Sequence, residues 1–213
     1  MKIIQPNVTL INAPNREALY KQLELAGRTC YKSEDKITEE SAEKFIRGLL
    51  KRGHEAMIEH GVITAKFVCD RGVSHEIVRH RLASFAQEST RYCNYSKDQF
   101  GKEITVIEPP FFEPGTPTYS TWAYAMEAAE KTYFELLDQG VSPQEARSVL
   151  PNSLKTEIVI TMNIREWRHF FKLRAIGTTG KPHPQMQQVA KMALDMFKEN
   201  WPILFEDLEV SHV

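Results

Sequence analysis

Segments with helical and with strand periodicity follow one another in an irregular order along this chain, and that order constrains the fold more than any single residue does. MKIIQPNVTLI reads as a first strand, and NREALYKQLELAG as a helix that stops near Gly27. Thr38, followed by Glu39 and Glu40, predicts the start of a second helix through Leu50, because acidic side chains suit the positive end of a helix dipole. HGVITAKFVCD alternates as a strand, and GVSHEIVRHR resumes helical spacing through Val73 and Ile77. Trp122, Met126, Ala129, Tyr133 and Leu136 recur every three or four residues and predict a long amphipathic helix to about Gly140. Ser142, Pro143 and Glu145 form a capping box that opens a short helix through Arg147. KTEIVITMN is then a strand, IREWRHFFKLRA a helix and MQQVAKMALDMFKENW a last helix. PPFFEPGTP is a loop, and no repeat or linker interrupts the series. Without a regular βαβ rhythm the fold class is α+β: a central antiparallel or mixed sheet flanked by helices, in a single domain over residues 1–213.

Composition narrows the function. The 213 residues are 42% hydrophobic, enough for a sizeable core. Lys plus Arg (27) and Asp plus Glu (28) balance, so no general field draws the chain to a nucleic acid or an anionic membrane. Cys30, Cys69 and Cys93 are widely spaced and form no C-x-x-C pair, which fits a reducing cytoplasm and neither a disulfide framework nor a cysteine metal site. No apolar run approaches membrane-spanning length and no signal-peptide pattern opens the sequence, so a soluble, unprocessed protein is expected.

Several familiar motifs fail on spacing. HEAMIEH and HEIVRH place their histidines six and five residues apart, whereas H-E-x-x-H needs four to share a helix face, so no metal site is expected. IGTTGKP lacks phosphate-loop spacing, and Pro182 stands where a magnesium-holding Ser or Thr belongs. Neither G-x-S-x-G nor G-x-G-x-x-G occurs.

One cluster survives this filter. RHRLASFAQESTRY sets Arg79, His80 and Arg81 side by side and adds Arg91, in a chain of net charge -1. On a helix over 73–81, Arg79 and Arg81 project about 200° apart, because each residue advances about 100°. They suit two anionic groups, or one ligand inserted between chain segments. Gln87, Ser89 and Thr90 add neutral donors and acceptors of the kind a nucleoside or phosphate needs. A solvated basic turn is the alternative. Independently, Trp167, Phe170 and Phe171 define an apolar helix face on which Arg174 falls, where a partly desolvated guanidinium wants an anion or carbonyls. Snorkelling past the aromatics is the alternative there. Arg165, Arg168 and Lys172 fall on other faces and are expected in solvent.

Taken together, these residues resemble a family. Arg79-His80-Arg81, seven residues, then Ser89 is similar to the R-H-R-x7-S signature of flavin-dependent thymidylate synthases. The likeness extends in order through G-H-E-x-x-x-E-H (Gly53 to His60), A-R-x-V-L-P (Ala146 to Pro151), Asn163 with Arg165, and Leu173-Arg174. The resemblance implies an α+β fold of its own type, FAD as cofactor and dUMP as substrate. It also implies NADPH and methylenetetrahydrofolate as co-substrates, and a homotetramer with sites at subunit interfaces. Hydride from reduced flavin completes the methyl group of dTMP, and no enzyme nucleophile attacks the uracil. The clustered cations would then meet the FAD pyrophosphate and the dUMP phosphate, and developing negative charge would be stabilised electrostatically.

By the same resemblance Arg174 is the key catalytic group, stabilising the ionised uracil. Glu76, Ile77, Val78, Arg79, Gln87, Glu88, Ser89, Thr90, Arg91 and Arg147 match nucleotide-binding positions, with Arg174 among them. Ala56, Arg79, His80, Arg81, Gln87, Asn163, Ile164, Arg165 and His169 match flavin-binding positions. Ser89 is read as a binding hydroxyl, since no dedicated base is visible. Some positions depart from the common family pattern: Ala56 replaces Ser or Thr, Ala86 replaces Asn, Gln87 replaces Glu, and His169 replaces Asn. AIGTTGKP also intervenes between Arg174 and His183. Two alternatives stand beside this reading, a nucleotide-binding protein of the same fold without turnover and a metal-dependent phosphohydrolase using His54, His60, His75 and His80.

Overall fold

A computed structural model describes residues 1–97 and 101–209. The first predicted strand is two strands, β1 (Lys2–Ile4) and β2 (Asn7–Asn12), separated at Gln5 and Pro6. Pro6 has no N–H with which to continue a ladder. β1 pairs in parallel with β5 (Thr105–Ile107), in the register Lys2 to Thr105 and Ile4 to Ile107. A second sheet has four strands in the order β2-β3-β6-β4, where β3 is Val62–Asp70, β4 Ala83–Gln87 and β6 Lys155–Asn163. Strict alternation shows in β6, whose Thr156, Ile158, Ile160 and Met162 are buried. These sheets among helices give the α+β class expected from the sequence.

Three helix boundaries differ from expectation. α1 (Arg16–Thr29) runs through Gly27, because that glycine serves close packing: a Cβ there would lie 2.5 Å from Phe45 Cε1. α2 (Ser41–Lys51) begins three residues after Thr38, whose backbone N–H donates to Ser41 Oγ at 2.9 Å and so belongs to a preceding turn. α3 (Arg71–Ile77), capped by Asp70 through a 2.7 Å bond to the Val73 N–H, stops short of the basic cluster. The stretch after it, expected as loop, contains the strand β4. α4 (Pro117–Asp138) and α5 (Pro143–Ala146) follow expectation, with Gly140 at φ 85° after the first and the Ser142–Glu145 capping box opening the second. α6 (Ile164–Phe171) passes into a π-helical turn over Lys172–Ile176, ended by Gly177 at φ 85°. α7 (Pro184–Asn200) and α8 (Pro202–Phe205) complete the chain's helices among the described residues.

The chain divides into two compact units. One comprises Met1–Asn7, Phe67–Arg79 and Ala86–Ile158, with a core of Tyr95, Ile104, Val106, Trp122, Met126, Tyr133, Ala146 and Leu154. The other comprises Val8–Lys66, His80–Phe85 and the chain from Val159 on. Its aromatic core is built from α6, α7 and α8: Trp167 stacks near Phe171 at 5.8 Å, and Phe197 meets Phe205 at 5.2 Å. No helix among the described residues is long and apolar enough to cross a membrane.

Candidate active site

In the second unit the chemistry gathers at the start and end of α6. Asn163 caps that helix, accepting the Glu166 backbone N–H at 2.8 Å, which places Glu166 in its first turn. Glu166 and His80 are both buried, and Glu166 Oε1 lies 3.1 Å from His80 Nδ1. On the other side of the ring, Arg174 Nε donates to His80 Nε2 at 3.3 Å. His169 and Phe170 approach the same ring edge-on, with centroids 5.7 and 5.0 Å away. Burial above all lowers the His80 pKa below its ordinary value; Arg174 and His169 lower it further, while the Glu166 carboxylate works in the opposite direction. His80 is therefore a neutral hydrogen-bonding ring at pH 7, where the sequence suggested the middle of three cations.

The expectation for Arg174 holds: it is half-buried, on the π turn that follows the Phe170 and Phe171 face. Arg168, expected in solvent, is buried instead. It bonds Asp207 through two hydrogen bonds, reaches Glu55 at 3.3 Å and donates to the Leu204 carbonyl. The partners compensate its lost hydration. Arg165 is exposed and paired with Glu59 at 2.6 Å, and Lys172 lies 3.4 Å from Glu55. A cavity of about 440 Å³ is lined by these residues with Asn163, Glu166, His169 and Leu82. Ala56 is exposed, and Ile164 is wholly buried, so Ile164 offers only its backbone. Arg81 is exposed and has no ion-pair partner among the described residues.

His80, Glu166 and His169 each place a ligand-type atom within 4.8 Å of the others. The Arg174 guanidinium bonded to His80 opposes a cation at that spot, and both His80 nitrogens already have partners.

The first unit holds the remaining predicted residues. α3 stops at Ile77, so the argument from opposed helix faces for Arg79 and Arg81 does not apply; Arg79 lies in a turn, its N–H bonded to the Glu76 carbonyl at 3.2 Å. Arg79 and Val78 are exposed, Glu76 is half-buried and Ile77 is in the core. Gln87, at the end of β4, donates to Ser74 Oγ at 2.9 Å and Thr156 Oγ1 at 3.2 Å. Glu88 is held by Lys155 at 3.0 Å and accepts from Tyr95 Oη at 3.2 Å. Ser89 accepts the Tyr92 and Cys93 backbone N–H groups through its carbonyl and the Arg91 N–H through Oγ at 3.4 Å. Arg147 donates to the buried Thr90 hydroxyl at 3.2 Å, and Arg91 stacks over Tyr92 at 5.5 Å. No side-chain base is hydrogen-bonded to Ser89 Oγ among the described residues. Burial pushes the Cys69 and Cys93 thiols up, away from a reactive thiolate.

Sequence reasoning overlooked Glu166, Lys155 and Tyr95. A signal for the first existed: an acid three residues after a capping Asn occupies the first turn of the helix. Nothing local marked the other two.

The family model described as thymidylate synthase complementing protein matches residues 10–203. A flavin-dependent thymidylate synthase of Corynebacterium aurimucosum is 34% identical over 93% of this chain and 82% of that protein. One from Geobacter sulfurreducens is 32% identical over 93% and 84%, and one from Pyrococcus furiosus is 36% identical over 70% and 60%. The chain thus aligns with three-fifths of the Pyrococcus furiosus relative's length. Among solved structures, a UMP/dUMP methylase PolB from Streptomyces cacaoi bound with 5-Br dUMP superposes with a TM-score of 0.78 over 97% of this chain and 96% of that one, at 24% identity, and so shares the fold.

Proposed function

The chain belongs to the flavin-dependent thymidylate synthase family, and from that membership we propose that it converts dUMP to dTMP by reductive methylation, with methylenetetrahydrofolate as carbon donor and NADPH-reduced FAD as hydride source. The observation that carries this reading is Arg174, half-buried and bonded through Nε to a neutral His80. A permanently charged guanidinium in a partly dehydrated setting stabilises negative charge that develops on a uracil ring.

FAD supplies hydride transfer when bound. The residues present fit such a polyanionic group. Arg79 and Arg81 are exposed and have no ion-pair partner among the described residues, which suits a pyrophosphate. Asn163, Ile164, Arg165 and His169 border or adjoin the cavity beside α6, Ala56 is exposed, and Gln87 presents an amide. Arg165 must exchange Glu59 for the ligand, and the side-chain oxygen of Asn163 is already spent on the helix cap.

For dUMP, the proposed contacts in the first unit are Glu76, Ile77 through its backbone, Val78, Arg79, Gln87, Glu88, Ser89, Thr90, Arg91 and Arg147. Thr90 fixes the Arg147 fork, and Lys155 with Tyr95 fixes the Glu88 carboxylate. The chain's own groups bind, orient and stabilise charge; the raised thiols and the base-free Ser89 support a reaction without an enzyme nucleophile. We read the chain as one domain, supported by the family match over 10–203, acting in the cytoplasm, supported by three free cysteines. The assembly implied by the family resemblance is a homotetramer with sites at subunit interfaces.

Incubation of the purified protein with dUMP, methylenetetrahydrofolate and NADPH, followed by chromatography, tests the reading. FAD-dependent dTMP is expected. Retention of FAD and dUMP without dTMP would replace it with nucleotide binding alone.

A further inference from the structure

Building on the synthase reading above, we propose that Glu166 is a positioning residue: it holds His80 as the neutral tautomer protonated on Nδ1, so that Nε2 is the acceptor that seats Arg174. Hydrogen-bond chemistry fixes the assignment. A guanidinium only donates, so the atom facing Arg174 Nε at 3.3 Å must be a bare ring nitrogen. A neutral imidazole carries one N–H, which is then on Nδ1, and that atom faces Glu166 Oε1 at 3.1 Å. An ionised carboxylate only accepts, so it stabilises this tautomer and no other.

The arrangement is built in from both sides. Glu166 and His80 are 7% and 4% exposed, so water does not compete strongly for either group. The Asn163 cap fixes the backbone of Glu166, and the Phe170 ring packs against the imidazole. The charged and titratable groups that act on His80 are Glu166 and His169 from α6 and Arg174 from the π turn. Burial, Arg174 and His169 all disfavour the imidazolium, and Glu166 alone favours it. Protonation on Nε2 would set donor against donor and release Arg174. Turnover should therefore be maintained above the lowered His80 pKa and fall as pH drops through it. Removing the Glu166 charge should move that acid limb to lower pH, while allowing the wrong tautomer at every pH above it.

Nitrogen-15 NMR of the intact protein with labelled histidine, and kcat against pH, test this on wild type, Glu166→Gln and Glu166→Asp. Wild-type His80 should show the Nδ1–H tautomer. Glu166→Gln should show a mixture or the Nε2–H form, with kcat lower by about 10- to 100-fold, the range spanned by a hydrogen bond to a charged group. Its acid limb should shift downward, and Glu166→Asp should restore part of the loss. An Nε2–H tautomer in wild type overturns the proposal even if the variants fail to fold. So does a Glu166→Gln protein whose tautomer and pH profile match wild type. The NMR result does not depend on turnover: an inactive protein with the Nδ1–H tautomer refutes the synthase reading alone, and an active protein with the Nε2–H tautomer refutes the proposal alone.

Discussion

Arg168 grips Asp207 with two parallel hydrogen bonds, 2.7 Å from Nη1 to Oδ1 and 2.6 Å from Nη2 to Oδ2. The Arg168 side chain is 2% exposed but that of Asp207 is 51% exposed, and Glu55 remains 3.3 Å from Arg168 Nε. Asp207→Asn should therefore cost about 1–2 kcal/mol, less than the roughly 3–5 kcal/mol of breaking a fully buried pair. Burial raises the Asp207 pKa, but Arg168 outweighs it and holds the carboxyl below its ordinary value of 3.8. Stability from the pair is thus complete above that value and lost as pH falls through the depressed native one. Thermal unfolding at pH 7 and in strong acid checks this: the Tm gap between wild type and variant should close in acid, and an equal gap at both would contradict it.

Gly177 ends the turn that carries Arg174. Its φ is 85°, and a Cβ there would lie 2.8 Å from Pro182 Cδ and 2.9 Å from the Gly180 carbonyl oxygen. Gly177→Ala should cost at least about 1–2 kcal/mol from the left-handed backbone alone. Because relief of the contact shifts the Arg174 turn, kcat should fall more than stability does. Urea unfolding and steady-state rates measure both, and an unchanged midpoint would contradict the packing.

Arg174→Ala removes the guanidinium proposed to stabilise the ionised uracil. Loss of one such group typically costs about 100- to 1,000-fold in kcat. Flavin content, read from visible absorbance of the purified protein, should stay near wild type. Parallel loss of flavin and turnover would make Arg174 a cofactor-binding group instead.

Ser89→Ala tests the absence of a nucleophile. Ser89 Oγ accepts the Arg91 N–H, and no side-chain base is bonded to it among the described residues. The variant should keep measurable turnover with weaker dUMP binding. Complete inactivity with intact dUMP affinity would make the hydroxyl a reacting group.

What the sequence reveals here is what local chemistry decides. The 3.6-residue recurrence from Trp122 to Leu136 yields α4, the alternation of KTEIVITMN yields β6, and Ser142 with Glu145 opens α5, because each signal lies within a few residues of its effect. Gly27 misleads because its reason for being glycine is Phe45, on another helix. Arg168 misleads because the periodicity of α6 cannot show that Asp207 and Glu55, 39 and 113 residues away, wait to neutralise it. ASFAQ is too short and too exposed to read as a strand, and only its neighbours in the sheet make it β4. Within the candidate site, Arg174 was legible from its place on an aromatic face. The neutrality of His80 was not, since it comes from burial in the folded unit and from Arg174, 94 residues away in the chain.

Release of tritium from dUMP labelled at ring carbon five, with methylenetetrahydrofolate and NADPH, with and without FAD, is the most direct test of dUMP methylation. Substitution of that hydrogen by a methyl group requires its release, so FAD-dependent tritium in water is the expected result. No release from folded protein with flavin bound would contradict the synthase assignment and leave a nucleotide-binding protein of the same fold.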